Sequence, residues 1–332
     1  MSSPHPSPSP LFKSVAYAAL EAGPRLIVTA AVHGNETCGT RAIERVMAEL
    51  DAGKLILERG SATFVPITNP LAYAKRDRAG DRNLNRNLGP VEKPADFEDR
   101  IANWLCPLLA RHEVLLDLHS TRAKALPFAM LGPRDNAGPL EPFKHSAKER
   151  ALAKHLGVHR FVEGWLGTYA LGVERRVKEG RGSRLNTDSR YGIGTTEYMR
   201  SVGGYAITLE CGQHDDPSSP EVAYRAIRNT LAFLEMTPSP ALPHSETGAR
   251  GGGSKAFEGL RIREVIDRNH DADRFAREWS SFDRLSKGDV IGIRHDGNEV
   301  RAPHDGWILF PDAKAQPGHE WFYLAEDNPG IV

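Results

Sequence analysis

Three short apolar runs in this chain each finish beside a residue that an apolar strand has no packing reason to carry. "RLIVTAAV" (25–32) leads directly into His33, "EVLLDLH" (113–119) ends on His119, and "YAITLEC" (205–211) holds Glu210 one place from its end. Runs that are apolar almost throughout are expected for strands covered on both faces, as in a largely parallel sheet. A carboxylate at the end of such a run is costly unless it is paired, protonated or close to a metal. In open α/β sheets, ligands bind outside the carboxyl ends of the strands. The three runs therefore predict one sheet whose edge gathers two imidazoles and a carboxylate.

Two further strands are expected at "ATFVPIT" (62–68) and "PFAMLG" (127–132). Helical spacing of apolar residues marks "TRAIERVMAELDAG" (40–53), "PADFEDRIANWLCPLLARH" (94–112) and "SPEVAYRAIRNTLAFLEM" (219–236). Strands interleaved with helices predict an α/β fold: a mixed, largely parallel central sheet with helices on both faces. A chain of 332 residues has room for about two domains. The boundary falls in "TPSPALPHSETGARGGGSKAF" (237–257), whose Pro, Gly and Ser content reads as a linker. Residues 258–332 change texture, with short strands parted by Gly, Asp and Pro turns, and predict a small C-terminal all-β domain. The proline-broken residues 1–10 read as a disordered tail, which leaves 11–236 as the main α/β domain. The segment 170–200 reads as a loop.

Lys+Arg and Asp+Glu both number 43, so the formal net charge is zero. Neither nucleic acid nor an anionic membrane is an expected partner, since both call for a basic excess. No apolar stretch approaches the roughly 20 residues that span a bilayer, and the N-terminus lacks the apolar core of a signal peptide. Cys38, Cys106 and Cys211 form neither a disulfide framework nor a thiolate zinc site. Cys38 and Cys211 read as small packing residues. A soluble, cytoplasmic protein is expected. Oligomeric state leaves no mark, so a homo-oligomer stays open.

"HGNE" taken alone reads as a polar turn, with Asn35 capping the next helix and Glu36 facing its dipole. Taken with the other strand ends it reads differently. His33 and His119 with one glutamate make a familiar catalytic zinc set with a fourth position open to water. A second glutamate, held off the metal, can take that water's proton. Between these runs, "KRDRAGDRNLNRNLG" (75–89) carries five basic residues. Alone it is a solvated basic loop; beside zinc, its arginines can clamp a carboxylate or hold an oxyanion. His214 is a competing ligand by proximity to Glu210, although a loop histidine beside Asp215 and Asp216 is the simpler reading.

"HGNE", "RAGDRNLNR", "LDLHS" and "LECG" occur in an order that resembles the succinylglutamate desuccinylase/aspartoacylase family, of zinc carboxypeptidase-like fold. The resemblance spans about 25–236. "GDVIG…VRAPHDGWILFP…PGHEWFYLA" is similar to the small β-domain of bacterial members. The resemblance implies one Zn2+ per chain on His33, Glu36 and His119, with Glu210 as general base. It implies Arg78 as the residue that polarises the carbonyl, and Asn85 and Arg86 as the pair that holds a substrate carboxylate. Arg200 would grip a second carboxylate, and Tyr323 would reach the site from the β-domain, though packing competes for that aromatic. The family often has Asp where this chain has Asn83, which removes an acidic partner and could alter the orientation of Arg78. The implied activity is zinc-dependent amide hydrolysis of a small N-acyl amino acid. A carboxypeptidase-like peptidase and a non-catalytic zinc-binding protein are the competing expectations. "VRAPHDGWI" has no lysine at a hairpin tip, which excludes a swinging-arm carrier.

Overall fold

The computed structural model describes residues 11–180, 187–238, 240–242 and 256–332. The expected tail at 1–10 and most of the expected linker lie outside them. Among the described residues no helix is long and apolar enough to cross a membrane.

The strands are β1 (Val15–Ala18), β2 (Glu21–Ala30), β3 (Arg59–Val65), β4 (Val114–Thr121), β5 (Phe128–Met130), β6 (Arg160–Glu163), β7 (Tyr205–Gln213), β8 (Glu258–Asp267), β9 (Arg274–Phe275), β10 (Asp283–Leu285), β11 (Val290–Ile293), β12 (Glu299–Arg301), β13 (Gly306–Leu309) and β14 (Glu320–Asp327). The helices are α1 (Cys38–Asp51), α2 (Pro70–Lys75), α3 (Phe97–Leu109), α4 (Ser146–Ala153), α5 (Trp165–Lys178), α6 (Thr195–Ser201) and α7 (Ser219–Phe233). One large sheet runs in the order β1-β3-β2-β4-β7-β5-β6-β8-β14-β13-β10, and β12-β11-β9 form a second. Its centre is parallel from β3 through β7, while β5 lies antiparallel to β7.

All five expected strands are present, with shifted ends. The run at 62–68 stops as a strand at Val65, because Pro66 has no N–H to offer a ladder. The segment expected as a loop over 170–200 contains most of α5 and all but the last residue of α6. β1 and β6 carried too few apolar residues to stand out, being only four residues each.

Alternation along the strands decides which side chains reach which layer, because successive side chains in a strand point to opposite faces. Val114, Leu116 and Leu118 of β4, with Ile207, Leu209 and Cys211 of β7, pack in the core under α1 and α7. The alternate residues Leu115 and Ala206 pack with α3 and Met199 on the other face. Asp117 and His119 on β4, and Thr208 and Glu210 on β7, share that second face. His119 and Glu210 are register partners, as are Thr29 and Asp117.

The C-terminal strands continue this sheet, since β8 pairs in parallel with β6. Glu163 ties the junction. Its carboxylate accepts from Arg150 at 2.7 Å, from Arg261 Nε at 2.8 Å and from Asn328 Nδ2 at 2.9 Å. Arg150 is itself buried. Removing the carboxylate strands a buried cation, a change that costs about 3–5 kcal/mol. Glu163→Ala is therefore expected to lower the urea midpoint by that amount of stability. An unchanged midpoint would show that the junction does not depend on this acid.

Candidate metal centre and its pocket

β2 ends at Ala30, and Ala31 takes a left-handed turn (φ 49°) that carries the chain over the sheet edge. The Glu36 N–H closes back on the His33 carbonyl at 3.1 Å, so the two side chains converge. Gly34 makes room for this turn: a Cβ there would lie 1.9 Å from the Ala72 carbonyl carbon.

His33, Glu36 and His119 come together as expected. Each offers one ligand atom, and the three atoms lie within 4.8 Å of one another, all buried. Glu36 bridges the rings, with Oε1 2.8 Å from His33 Nδ1 and Oε2 2.8 Å from His119 Nδ1. The far side of each ring has an acceptor. Asp117 Oδ2 is 2.8 Å from His119 Nε2, and Asn83 Oδ1 is 3.0 Å from His33 Nε2. Those acceptors hold the ring protons on Nε2 and leave both Nδ1 lone pairs facing a carboxylate. Such an arrangement of acceptors suits a cation between them, and outer partners of this kind orient metal-binding histidines.

The electrostatics agree. Burial, helped by Arg78, lowers the His33 pKa to about 4, so its imidazole is neutral and free to ligate. Burial opposes charge on Glu36, but the two histidines outweigh it and hold the acid well below the usual carboxylate range. Burial also works against protonated His119, yet Asp117 and Glu36 hold its pKa well above the ordinary value. The donor set fits a divalent ion such as zinc.

Asn83 takes over the place where an aspartate was expected, and it still orients His33 through a neutral carbonyl. Arg78 still reaches the centre, with Nη1 3.3 Å from both His33 Nδ1 and Glu36 Oε1. Asp117 is a partner that the sequence reading passed over. It is completely buried, accepts from Thr29 Oγ1 at 2.6 Å and from the Thr195 hydroxyl, and faces His119. Its signal was present in "LDLH": a charge two residues before a histidine, on the same strand face.

Glu210 lines the same cavity. Its Oε2 is buried without a hydrogen-bond partner, and burial together with Glu36 raises its pKa to about 8. Asn85 Oδ1 accepts from the Thr195 N–H at 2.9 Å. Arg86 lies over the rings of Trp165 and Tyr169 at 4.9 and 5.3 Å, and spends Nη1 on the Asn85 carbonyl.

Two expected residues sit differently. Arg200 is buried and donates to Glu149 and Glu141 at 2.9 Å each and to the Ala206 carbonyl at 2.8 Å, with Glu197 at 3.6 Å. Tyr323 is packed among Trp165, Phe310 and Phe128, and its buried hydroxyl has no hydrogen-bond partner. His214 joins the rim instead of the metal set, 2.9 Å from Ser120 Oγ. The cavity measures about 790 Å³, and the β13–β14 connection lines part of it through Phe310, Asp312, Lys314 and His319, with Glu320 at the head of β14.

The α/β sheet thus assembles at its strand ends a buried His–Glu–His set that could hold a metal ion. Residues 22–143, which contain the "HGNE", "RAGDRNLNR" and "LDLHS" motifs, match the family model of the succinylglutamate desuccinylase/aspartoacylase catalytic domain. The fold matches solved structures almost end to end. A succinylglutamate desuccinylase/aspartoacylase from Rhodobacter sphaeroides superposes with a TM-score of 0.68 at 18% identity, covering 96% of this chain and 89% of that one. A product-bound ectoine utilization protein EutE (DoeB) from Ruegeria pomeroyi gives 0.68 at 18% identity, over 94% and 88%. A succinylglutamate desuccinylase from Vibrio cholerae gives 0.64 at 18% identity, over 92% and 82%.

Asp117→Asn keeps an acceptor but removes the charge behind His119. If the set holds a divalent ion such as zinc, its affinity is expected to fall about 10- to 100-fold. Competition with a chromogenic chelator measures it, and unchanged affinity would remove Asp117 from the site.

Proposed function

We propose that this protein is a zinc-dependent amidohydrolase that removes the acyl group from a small N-acyl amino acid. The observation that carries the reading is Glu210: a buried, unpartnered carboxylate oxygen beside a cation-demanding His–Glu–His set. A divalent ion held by His33, Glu36 and His119 would supply Lewis-acid polarisation and a more acidic water.

The chain's own groups account for the remaining steps. Glu210, kept basic enough to accept and acidic enough to return a proton, takes one from the attacking water and delivers it to the departing amine. Arg78 stands 3.3 Å from Glu36 Oε1, with its guanidinium placed for negative charge that develops on the acyl oxygen. Asn85 and Arg86 lie across the cavity to hold the amino acid's carboxylate; Arg86 keeps Nε and Nη2 for a bidentate grip. Arg200 is left out of the substrate set because its donors already serve Glu149, Glu141 and a backbone carbonyl. Tyr323 is left out because it is packed beneath the pocket wall. The β13–β14 connection over the cavity favours a small substrate above a peptide. The three buried free cysteines fit a cytoplasmic location.

Glu210→Gln is expected to lower kcat about 10²- to 10⁴-fold with zinc content retained. Arg78→Ala is expected to lower kcat by roughly 10²–10³. Steady-state hydrolysis of an N-acetyl amino acid panel on metal-analysed protein tests both. Near-normal turnover in the Glu210 variant would exclude the proposed base.

A further inference from the structure

A second cavity, of about 650 Å³, opens between the β8–β9 loop and the β13–β14 connection, against the β4–β5 loop. That size falls within the roughly 300–1,000 Å³ of small-molecule sites. None of His33, Glu36, His119 or Glu210 reaches it, yet Arg122, Ala123, Pro311, Asp312 and Lys314 line both cavities. The two share a wall.

Arg268 clamps two loops of this second cavity to each other. Its Nη1 donates to the Ala313 and Ala315 carbonyls at 3.2 and 2.8 Å, and its Nη2 to those of Asp271 and Asp273 at 2.5 and 3.1 Å. Uncharged carbonyls satisfy those N–H groups but leave the guanidinium without a carboxylate. Its Nε–H is buried and has no hydrogen-bond partner. A buried donor left unpaired is costly, and native folds keep few of them.

Most other charges around the cavity cancel in pairs. Arg122 faces Asp312 at 3.3 Å, Lys124 faces Glu278 at 3.6 Å and Arg277 faces Asp283 at 3.3 Å. Asp273 is taken by Arg294 at 2.9 Å. Among the described residues, the Arg274 guanidinium and the Lys314 ammonium have no such partner. With Arg268 they make three unmatched cations on the lining, against one unmatched acid, Asp271. Taken singly, Arg274 and Lys314 read as solvated surface charges. Arg268 does not, because its Nε–H is shut off from water and its other nitrogens are fixed by the fold. A concave site lined by an excess of one charge concentrates ions of the other.

We infer that this cavity is a second binding site, for a small multivalent anion held by Arg268, Arg274 and Lys314. Polycarboxylates and phosphates share that chemistry. The site lies apart from the metal centre and does not depend on the deacylase reading.

Calorimetric titration of the full-length protein with tricarballylate and with inorganic phosphate tests this without turnover. At least one of the two is expected to bind about 10-fold more tightly than acetate, the reach of one added charge-assisted hydrogen bond. The tighter of them tells a polycarboxylate from a phosphate site. Arg274→Gln should weaken that binding about 10-fold. Arg274→Lys, which keeps the charge, should retain most of it, and the melting temperature of each variant checks folding. Arg86→Gln, which alters only the active cavity, should leave it unchanged. No binding of either probe at millimolar concentration, acetate binding as tight as both, or affinity lost in Arg86→Gln and kept in Arg274→Gln would overturn the inference.

Discussion

The two oxygens of Glu36 set the terms for the rest of the site. Each lies 2.8 Å from an imidazole Nδ1, and each imidazole is braced behind by an acceptor, Asn83 or Asp117. An acidic oxygen and two nitrogen lone pairs packed this closely repel one another unless a positive charge lies among them. The fold pays for this crowding through fixed geometry. His119 and Asp117 are fixed by strand alternation in the middle of a parallel sheet. His33 and Glu36 are fixed by the turn at Ala31, which Gly34 lets pass close under α2. Loosening one ring would leave the others as a buried, unmatched group.

Alternation also explains what the sequence disclosed. An apolar strand with a lone His or Glu at its carboxyl end has one plausible layer for that residue, and a period of two assigns the face. His119, Glu210 and the convergence with His33 and Glu36 were readable for this reason. Asp117 was equally readable in principle, since it shares the face of His119 two residues away. The basic segment 75–89 showed that cations lie near the centre, but charge alone could not separate Arg78, which reaches Glu36, from Arg82, which is spent on Asp96 and Asp99.

What was not readable depends on long-range partners. Arg200 sits ten residues before Glu210 as expected, yet its role follows from Glu141 and Glu149, more than fifty residues earlier. Tyr323 carries no local sign that separates a pocket-facing hydroxyl from a packed ring; Trp165 and Phe310 decide it. The helix α5 was hidden because Gly167 and Gly172 weaken its pattern, although Gly172 is where Val265 of β8 presses closest. Glu320 belongs to the same class. Its nearness to Arg86 appears only when β14 folds beside β8.

That placement explains why the C-terminal strands are joined to the sheet instead of hanging from it. β8 continues the ladder from β6, and β14 pairs with β8, so the β13–β14 connection is held at a fixed height above the cavity. A tethered cap would leave the site wet for much of the time. A cap built into the sheet keeps bulk water from Glu210 and Arg86, and charges act more strongly where the surroundings are less polarisable. With a net formal charge of zero, the chain has no global field to draw in a substrate. Selectivity must then come from the few charges the cap and the sheet enclose together, each tuned by one neighbour rather than by the molecule as a whole.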